Sequence, residues 1–157
     1  MKLSRIFLLL VALVFVACVG IVVAEDATVS PYTFTVPDGY TIVTSDDTTC
    51  AMQKDENNAI CFATGVGDDL EAAKQNLISQ GKTFVEEKNL TYDDMDITLQ
   101  SFSVDVGGTK LALYNYVMFA EEGNFVVTLT TDDASFNSDL HADSNPAKVI
   151  FDTVKTG

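Results

Sequence analysis

The chain has 157 residues, enough for one domain, and a formal net charge of −14. The imbalance lies after residue 24, where seven Lys and no Arg accompany all 23 acidic residues. Such a surface repels phosphate backbones and anionic lipid, so we expect no nucleic-acid partner. One histidine and no arginine in this part supply little material for a catalytic triad, and the sequence contains no phosphate-binding loop, dinucleotide fingerprint or Cys-x-x-Cys motif.

Residues 1–24 have the organisation of an export signal. Lys2 and Arg5 precede an apolar run, Ile6–Ala24, which ends in the small residues of a cleavage site. The run is also long enough to remain as a membrane anchor. Cys18 follows a small residue, so a lipidated anchor is a third alternative. In each case the remainder is exported, and we expect a protein that is secreted or tethered to the outer face of the cytoplasmic membrane.

Two cysteines follow this segment, Cys50 and Cys61. They flank the turn-like cluster Lys54–Asn58 between two strand-like runs. Outside the cytoplasm an isolated pair of cysteines forms a disulfide more often than a metal site or a nucleophile. We therefore expect a Cys50–Cys61 disulfide, with two free buried thiols as the alternative.

The first part of the exported chain predicts short strands. Residues 25–31 read as a polar leader outside the fold, and a single domain is expected over 32–157. Period-two alternation and turn residues then delimit four strands, at 32–36, 40–44, 49–54 and 59–64.

A helix is predicted over 68–80. Asp68 and Glu71 have the spacing of a capping box, and Gly81 is a suitable C-terminal stop. Apolar residues at helical spacing would share one face, namely Leu70, Ala73, Leu77 and Ile78. The segment 82–90 is ambiguous, and a second short helix is one interpretation.

The most strongly patterned segment, 95–131, predicts three consecutive antiparallel strands. Its middle run, Lys110–Ala120, is apolar on both faces, which indicates a central strand. Gly107-Gly108 accepts the positive φ values of a tight hairpin turn, and Glu121–Asn124 supplies a second turn. The apolar alternation changes phase near Gln100–Phe102, which predicts a β-bulge or a break there.

The chain closes with an acidic loop, 132–145, and a helix predicted over 146–155. Asn145 is suited to the N-cap and Pro146 to the first helical position. The fold class is therefore α+β. We expect an antiparallel sheet of six or seven strands, with the meander at 95–131, packed against a mid-chain helix and a C-terminal helix.

The acidic loop holds the single histidine and the best candidate metal ligands. Asp133, Asp139, His141 and Asp143 could ligate a cation such as Ca²⁺, although the EF-hand register is missing. His141 with distant carboxylates is also the combination from which a hydrolase site could be built. A solvated acidic surface is the ordinary interpretation of such a loop, and no catalytic residue, resident metal or cofactor is assigned.

Two further features concern the surface. Asn89-Leu90-Thr91 is a glycosylation sequon, which export would make usable. Tyr114 and Tyr116 share one face of the central strand. They pack in the core if that face is covered and otherwise form an apolar patch fit for a partner or ligand.

The order of elements resembles the Mog1/PsbP-like superfamily, including small exported proteins of the DcrB-like group. The resemblance covers Tyr32–Lys155, and its motifs are a strand leading into Pro-Asp-Gly-Tyr (Phe34–Tyr40) and the final Val-Ile-Phe-Asp-Thr-Val-Lys helix (Val149–Lys155). It implies an antiparallel sheet flanked by helices and an accessory role rather than catalysis. The Cys50–Cys61 pair is not part of its pattern.

We therefore expect a non-catalytic extracytoplasmic binding or accessory protein, which acts through contacts with an unknown extracytoplasmic protein. One alternative is a Ca²⁺- or small-ligand-binding module that uses the acidic loop 132–145. The other is an uncharacterised hydrolase.

Overall fold

A computed structural model describes Glu25–Gly157, in which ten strands and two helices form. The predictions of a signal, an anchor or a lipidated Cys18 fall in residues 1–24, outside the described part. In chain order the elements are β1 (Asp26–Val29), β2 (Tyr32–Thr35), β3 (Thr41–Ser45), β4 (Thr49–Asp55), β5 (Asn58–Thr64), α1 (Leu70–Ser79), β6 (Thr83–Tyr92), β7 (Met95–Val106), β8 (Thr109–Met118), β9 (Phe125–Thr131), α2 (Ala147–Thr153) and β10 (Lys155–Thr156).

The strands form two antiparallel sheets. The larger sheet has seven strands in the order β3-β4-β5-β9-β8-β7-β6, and the smaller has the order β1-β2-β10. The predicted meander is present as β7, β8 and β9, and Gly107 and Gly108 adopt φ values of 57° and 87° in its first turn. The predicted α+β class is confirmed. Within Glu25–Gly157, neither helix has the length and apolar character that a membrane span requires.

The main core lies between one face of the large sheet and the layer formed by the small sheet and α2. Its centre is an aromatic stack. The ring of Phe62 lies between Phe34, at 4.5 Å, and Phe125, at 4.9 Å, and Tyr32 meets both Phe62 and Phe125 edge-on. Phe151 of α2 extends the cluster beside Phe125. This packing fixes α2 over the sheet and sets the position of the loop that precedes it.

Helix α1 covers part of the opposite face of the large sheet. Leu77 packs there with Phe102 and Leu113, as the helical periodicity predicts. The N-cap is Asp69 rather than Asp68, since its carboxylate accepts a 2.9 Å hydrogen bond from the Ala72 backbone N–H. The predicted helix at 68–80 is therefore confirmed with slightly shorter ends.

Residues 83–92 form strand β6, so the interpretation of 82–90 as a second helix is wrong. β6 pairs with β7 along its whole length through a two-residue turn in which Asp93 and Asp94 both have positive φ. The strand lies at the edge of the sheet and most of its side chains are exposed. An edge strand buries few apolar residues, and the alternation that identifies strands is correspondingly weak.

The predicted β-bulge or break near Gln100–Phe102 is not found in β7, and a bulge occurs instead on the neighbouring strand β6. The register shifts between Phe84 and Glu86, which leaves Val85 bulged and 61% exposed, whereas β7 pairs with β8 without a shift. Leu99 of β7 faces the main core and Phe102 faces α1. The phase change therefore reflects burial on opposite faces at the two ends of one regular strand.

The segment expected to be a leader, 25–31, belongs to the fold. Residues 26–29 form β1, which pairs with β2, and Val29 is fully buried. The backbone N–H of Val36 also donates a 2.7 Å hydrogen bond to the carbonyl of Glu25. The folded part therefore begins several residues before 32. A strand of four residues is too short for its alternation to be recognised in the sequence.

The expected disulfide is not formed, because Cys50 and Cys61 are free buried thiols. In the β4–β5 ladder Cys50 lies opposite Phe62, and Cys61 lies opposite Ala51. Successive side chains alternate between faces, so Cys50 points into the main core and Cys61 into the cluster on the opposite face. Burial raises the pKa of Cys50 to about 11 and raises the pKa of Cys61 as well.

Helix α2 is shorter than the predicted helix at 146–155. Its last residue is Thr153, and the chain then leaves the helix so that Lys155 and Thr156 pair with β2 as β10. The side-chain oxygen of Asn145 accepts a 3.0 Å hydrogen bond from the Ala147 backbone N–H, as predicted for a cap, although the helix begins at Ala147 and Pro146 is the residue that directly precedes it. The helix start was predictable from local chemistry, whereas its end depends on pairing with β2.

The carboxylate of Asp46 holds the β3–β4 connection through hydrogen bonds. The carboxylate of Asp46 accepts hydrogen bonds from the backbone N–H and hydroxyl of Thr48, at 2.8 and 3.0 Å, and from the backbone N–H of Thr49, at 2.9 Å. These bonds, chiefly those from Thr48, lower the pKa of Asp46. A lowered pKa in the folded state means that the stabilisation is complete above the unfolded pKa and is lost as pH falls through the folded one.

Asp46→Asn is therefore expected to be less stable than the parent protein at neutral pH. The difference is less than about 1 kcal/mol because the carboxylate is exposed to solvent. It should stay constant from neutral pH down to the unfolded pKa of about 4 and shrink below it. Urea unfolding at a series of pH values measures this difference, with Asp47→Asn as the control. A gap that widens on acidification would contradict the assignment.

Candidate functional site

A groove with a volume of about 390 Å³ lies beside the start of α2. Its lining comes from the β2–β3 connection, the β4–β5 hairpin, the end of β9, the acidic loop 132–145 and α2 itself. We call it the acidic groove. The predicted acidic loop thus forms one wall of a concave site, which sequence positions alone did not reveal.

Part of the lining of the acidic groove is apolar or aromatic, from residues distant in sequence, namely Tyr40, Leu129, Phe136, Pro146 and Val149. Phe136 is held against Tyr114, with ring centroids 5.1 Å apart. Tyr40 is almost fully buried, and burial, assisted by the carboxylate of Asp55, raises its pKa to about 12. Its phenol therefore stays neutral at physiological pH.

The charged part of the lining is mostly acidic. Four exposed carboxylates contribute to it together with one ammonium group, namely those of Asp38, Asp132, Asp133 and Asp143 with that of Lys54. Within Glu25–Gly157, the carboxylates of Asp38 and Asp143 form no hydrogen bond or ion pair. Two acceptors at this groove are therefore available to a molecule that enters it.

One wall is fixed by hydrogen bonds between two hairpins. Asp132 accepts hydrogen bonds from the side chains of Asn57, at 3.0 Å, and Asn58, at 3.2 Å. The hydroxyl of Thr131 donates a 2.6 Å hydrogen bond to the side-chain oxygen of Asn58. Because β5 and β9 are neighbours in the sheet, the tip of the β4–β5 hairpin is joined to the end of β9. This part of the groove is consequently preformed.

The acidic loop is folded by its own carboxylates. Asp133 accepts hydrogen bonds from the backbone N–H and hydroxyl of Ser135, at 2.8 and 2.7 Å. These bonds lower the pKa of Asp133. Asn137 and Asp139 each accept a bond from a backbone N–H two residues later, an arrangement typical of Asx turns. Two of the residues nominated as metal ligands, Asp133 and Asp139, therefore bind the loop backbone.

The four nominated ligands are not brought together. Asp133 and Asp143 line the acidic groove, whereas Asp139 and His141 lie outside it. In the described part of the chain, no group of three or more His, Cys, Asp or Glu side chains is arranged to hold a metal ion. These candidate ligands therefore do not form a cluster that could hold Ca²⁺.

His141 lies on an exposed part of the loop, with its side chain 67% accessible. Its Nδ1 is 3.0 Å from Asp139, and hydrogen bonds from His141 lower the pKa of that carboxyl. Its ring also packs edge-on against Tyr92. A hydrolase site would require His141 in a cleft with carboxylates from distant segments, and His141 does not line the acidic groove.

A buried polar cluster anchors the loop to the sheet. The Tyr116 hydroxyl donates a 2.8 Å hydrogen bond to the carbonyl of Ser138, and the Asn145 amide donates to Tyr116, at 3.1 Å, and to the carbonyl of Asp139, at 3.3 Å. Burial raises the pKa of Tyr116. Tyr116 is fully buried, so the core interpretation of this residue is confirmed, whereas its loop-anchoring role was not predicted.

Asn89 is exposed on β6, where its side-chain oxygen accepts a 3.1 Å hydrogen bond from the hydroxyl of Thr98. Glycosylation at Asn89 stays a prediction.

The apolar lining of the acidic groove could not be predicted from the sequence, because Leu129 on a strand and Val149 on a helix have the same apolar spacing as core residues. The available signal was that the strand ending at Thr131 leads directly into the acidic loop.

Neither a protein-family model nor a curated protein matches the sequence. A solved structure from Bacteroides thetaiotaomicron VPI-5482 is similar, with a TM-score of 0.57 and 9% identity over 86% of this chain and 49% of that chain. The chain thus spans about half the length of that protein. Cyanobacterial PsbP (CyanoP) from Synechocystis sp. PCC 6803 is similar with a TM-score of 0.53 and 14% identity, over 91% of this chain and 99% of that chain. The predicted PsbP-like fold is confirmed, and this likeness concerns the fold alone.

Proposed function

We propose that the protein is a non-catalytic extracytoplasmic binding protein that acts through protein–protein contacts, with the acidic groove as its contact surface. The observation that carries this proposal is the groove itself. It combines apolar and acidic lining from five segments in one concavity. Hydrogen bonds at Asn58 and Asn145 hold its walls in place before a partner arrives, and preorganisation of this kind lowers the entropic cost of binding.

Binding is favoured over catalysis by the chemistry of the groove lining. Its polar side chains are carboxylates, amides, hydroxyls and one ammonium, and neither Cys50 nor Cys61 lies there. The lowered pKa of Asp133 makes that carboxylate a weaker proton acceptor at neutral pH. These groups suit binding, whereas a hydrolase would also require a nucleophile paired with a general base in the groove.

The extracytoplasmic location is supported by the sequence of residues 1–24, which have a basic start and an apolar run that ends in small residues. The strongly acidic remainder is consistent with a soluble surface. The fold begins immediately after that segment, since Asp26 already pairs with Thr35 in the small sheet.

A small-ligand module is the second candidate, because the volume of about 390 Å³ falls in the range typical of small-molecule sites. It uses the same groove and differs in the size of the occupant. A protein partner should contact the exposed surroundings of the groove, whereas a small ligand would occupy the lining only.

The proposal is tested by blocking the groove. Ser144 is an exposed groove residue, and Ser144→Trp places a large ring at the entrance. Thr83→Trp adds the same ring to an exposed position on edge strand β6. Each full-length variant is cross-linked on its own cell surface, and the captured proteins are quantified by mass spectrometry.

We expect the parent chain and Thr83→Trp each to capture one protein in a nearly equimolar amount. Its recovery should fall at least about tenfold with Ser144→Trp, because the added ring excludes the partner from the site. Equal recovery with both variants would contradict a groove contact. If no protein is captured in a nearly equimolar amount and a bound small molecule is lost only from Ser144→Trp, the small-ligand candidate replaces this proposal.

A further inference from the structure

We propose that the acidic groove selects a positively charged side chain, lysine or arginine, on an exposed segment of the partner protein. The aliphatic part of that side chain packs on the apolar lining, and its charged end meets the carboxylates. This inference rests on the proposed function, because it names the chemistry by which the same groove chooses its partner.

Two carboxylates of the acidic groove are available to a cation. Asp38 precedes β3 and Asp143 precedes α2, so these two carboxylates reach the groove from separate segments. Neither forms a hydrogen bond or ion pair within the described chain. An ammonium or guanidinium group that enters the groove could donate a charge-assisted hydrogen bond to either carboxylate, and such bonds are stronger than neutral ones. An anionic side chain would be repelled by the same pair.

Lys54 shows that the groove can accommodate a cationic side chain. Lys54 lines the groove, and its charge adds to the hydrogen bonds from Ser135 that lower the pKa of Asp133. Its aliphatic stem lies over the backbone of Gly39, since a Cβ at residue 39 would be 3.8 Å from the Cε of Lys54. A cationic side chain thus already occupies one side of the groove. Lys54 should therefore compete electrostatically with an incoming cation.

The apolar lining of the groove suits the aliphatic part of a long basic side chain. Lysine and arginine bury their methylene stems on apolar surface while the charged end stays near polar groups. Phe136 and Val149 provide such a surface beside the carboxylates. This combination fits a long basic side chain better than a bare metal ion, and the described ligand groups do not gather around a metal position.

The test is the binding of defined peptides to the purified full chain in a neutral detergent. The probes are dye-labelled Gly/Ser peptides with spaced lysines, and matched peptides in which norleucine or glutamate replaces each lysine. Norleucine keeps the stem and removes the charge. Fluorescence anisotropy gives the dissociation constants at low and high NaCl.

We expect the lysine peptide to bind at least about tenfold more tightly than the norleucine peptide, and to weaken as salt rises. Asp38→Asn and Asp143→Asn should each weaken it several-fold, because each removes one acceptor charge. Asp68→Asn removes an exposed charge near the start of α1 and should leave binding unchanged. Lys54→Met keeps the stem, removes the competing charge and should tighten binding.

Equal affinity for the lysine and norleucine peptides would overturn the inference, as would weaker binding by Lys54→Met. Displacement by Ca²⁺ beyond that by NaCl at equal ionic strength would assign the carboxylates to a divalent cation instead. The two experiments can also disagree. If Ser144→Trp abolishes capture of the partner on cells but the peptides bind equally with and without charge, the groove remains the contact surface and only the inferred selectivity fails.

Discussion

Phe62→Ala is expected to lower the free energy of unfolding by about 3–5 kcal/mol, as for other large aromatic side chains removed from cores. Phe62 is fully buried, and its ring is stacked between Phe34 and Phe125. The substitution removes both ring contacts and leaves a cavity where β5 meets β2 and β9. Urea-induced unfolding followed by circular dichroism measures the loss.

Two variants bracket this result. Val85→Ala shortens an apolar side chain that is 61% exposed on the β6 bulge, and its effect should be within about 0.5 kcal/mol. Phe62→Leu keeps much of the buried volume and should cost less than Phe62→Ala, so that a folded protein can still be measured. A loss below about 1 kcal/mol for Phe62→Ala would show that the stack is not the centre of the core.

Asn145→Ala is expected to cost about 2–3 kcal/mol, because it leaves buried polar groups without their partners. The side chain of Asn145 is buried and binds Tyr116, the carbonyl of Asp139 and the backbone N–H of Ala147. Its loss should also loosen the acidic loop. Urea unfolding gives the energetic cost, and hydrogen exchange of the amides in 133–145 reports the loosening.

The matched control is Asn137→Ala, in the same loop. Asn137 is exposed and accepts one 3.0 Å hydrogen bond from the backbone N–H of Asp139. Its removal should cost less than about 1 kcal/mol. Equal costs for the two variants, or unchanged exchange in the loop after Asn145→Ala, would contradict the anchoring role of the buried amide.

The fold was predictable where local chemistry and burial agree. β8 is apolar on both faces and follows a Gly-Gly turn, and it is the central strand of its meander. Helix α1 is recognisable because its cap, its apolar face and Gly81 lie within one short segment. In contrast, β6 lies at the edge of the sheet and β1 is only four residues long, so neither has an alternation strong enough to identify it.

The disulfide prediction failed because it depended on register. Cys50 and Cys61 lie on paired strands, as expected, but the ladder opposes Cys61 with Ala51. A difference of one residue places the two thiols on opposite faces of the sheet. Compartment and spacing favoured a bond that the side-chain directions do not permit.

The candidate site was predictable only in part, for a similar reason. Local composition identified the loop around Asp133 and Asp143 as a concentration of oxygen ligands. The other walls arise from non-local pairing, since β9 lies between β5 and β8 in the sheet and thereby brings Asn58 to Thr131. Lys54 and Tyr40 join the groove through the pairing of β4 with β5 and of β3 with β4, and they carry no local signal of a site.

The contact surface is tested most directly by photo-cross-linking on living cells. Benzoylphenylalanine replaces Phe136 in the acidic groove in one strain and Phe119, which is 42% exposed outside the groove, in another. We expect a discrete, light-dependent protein adduct from position 136 and little or none from position 119. Adducts of equal yield from both positions, or an adduct from position 119 alone, would contradict the acidic groove as the contact surface.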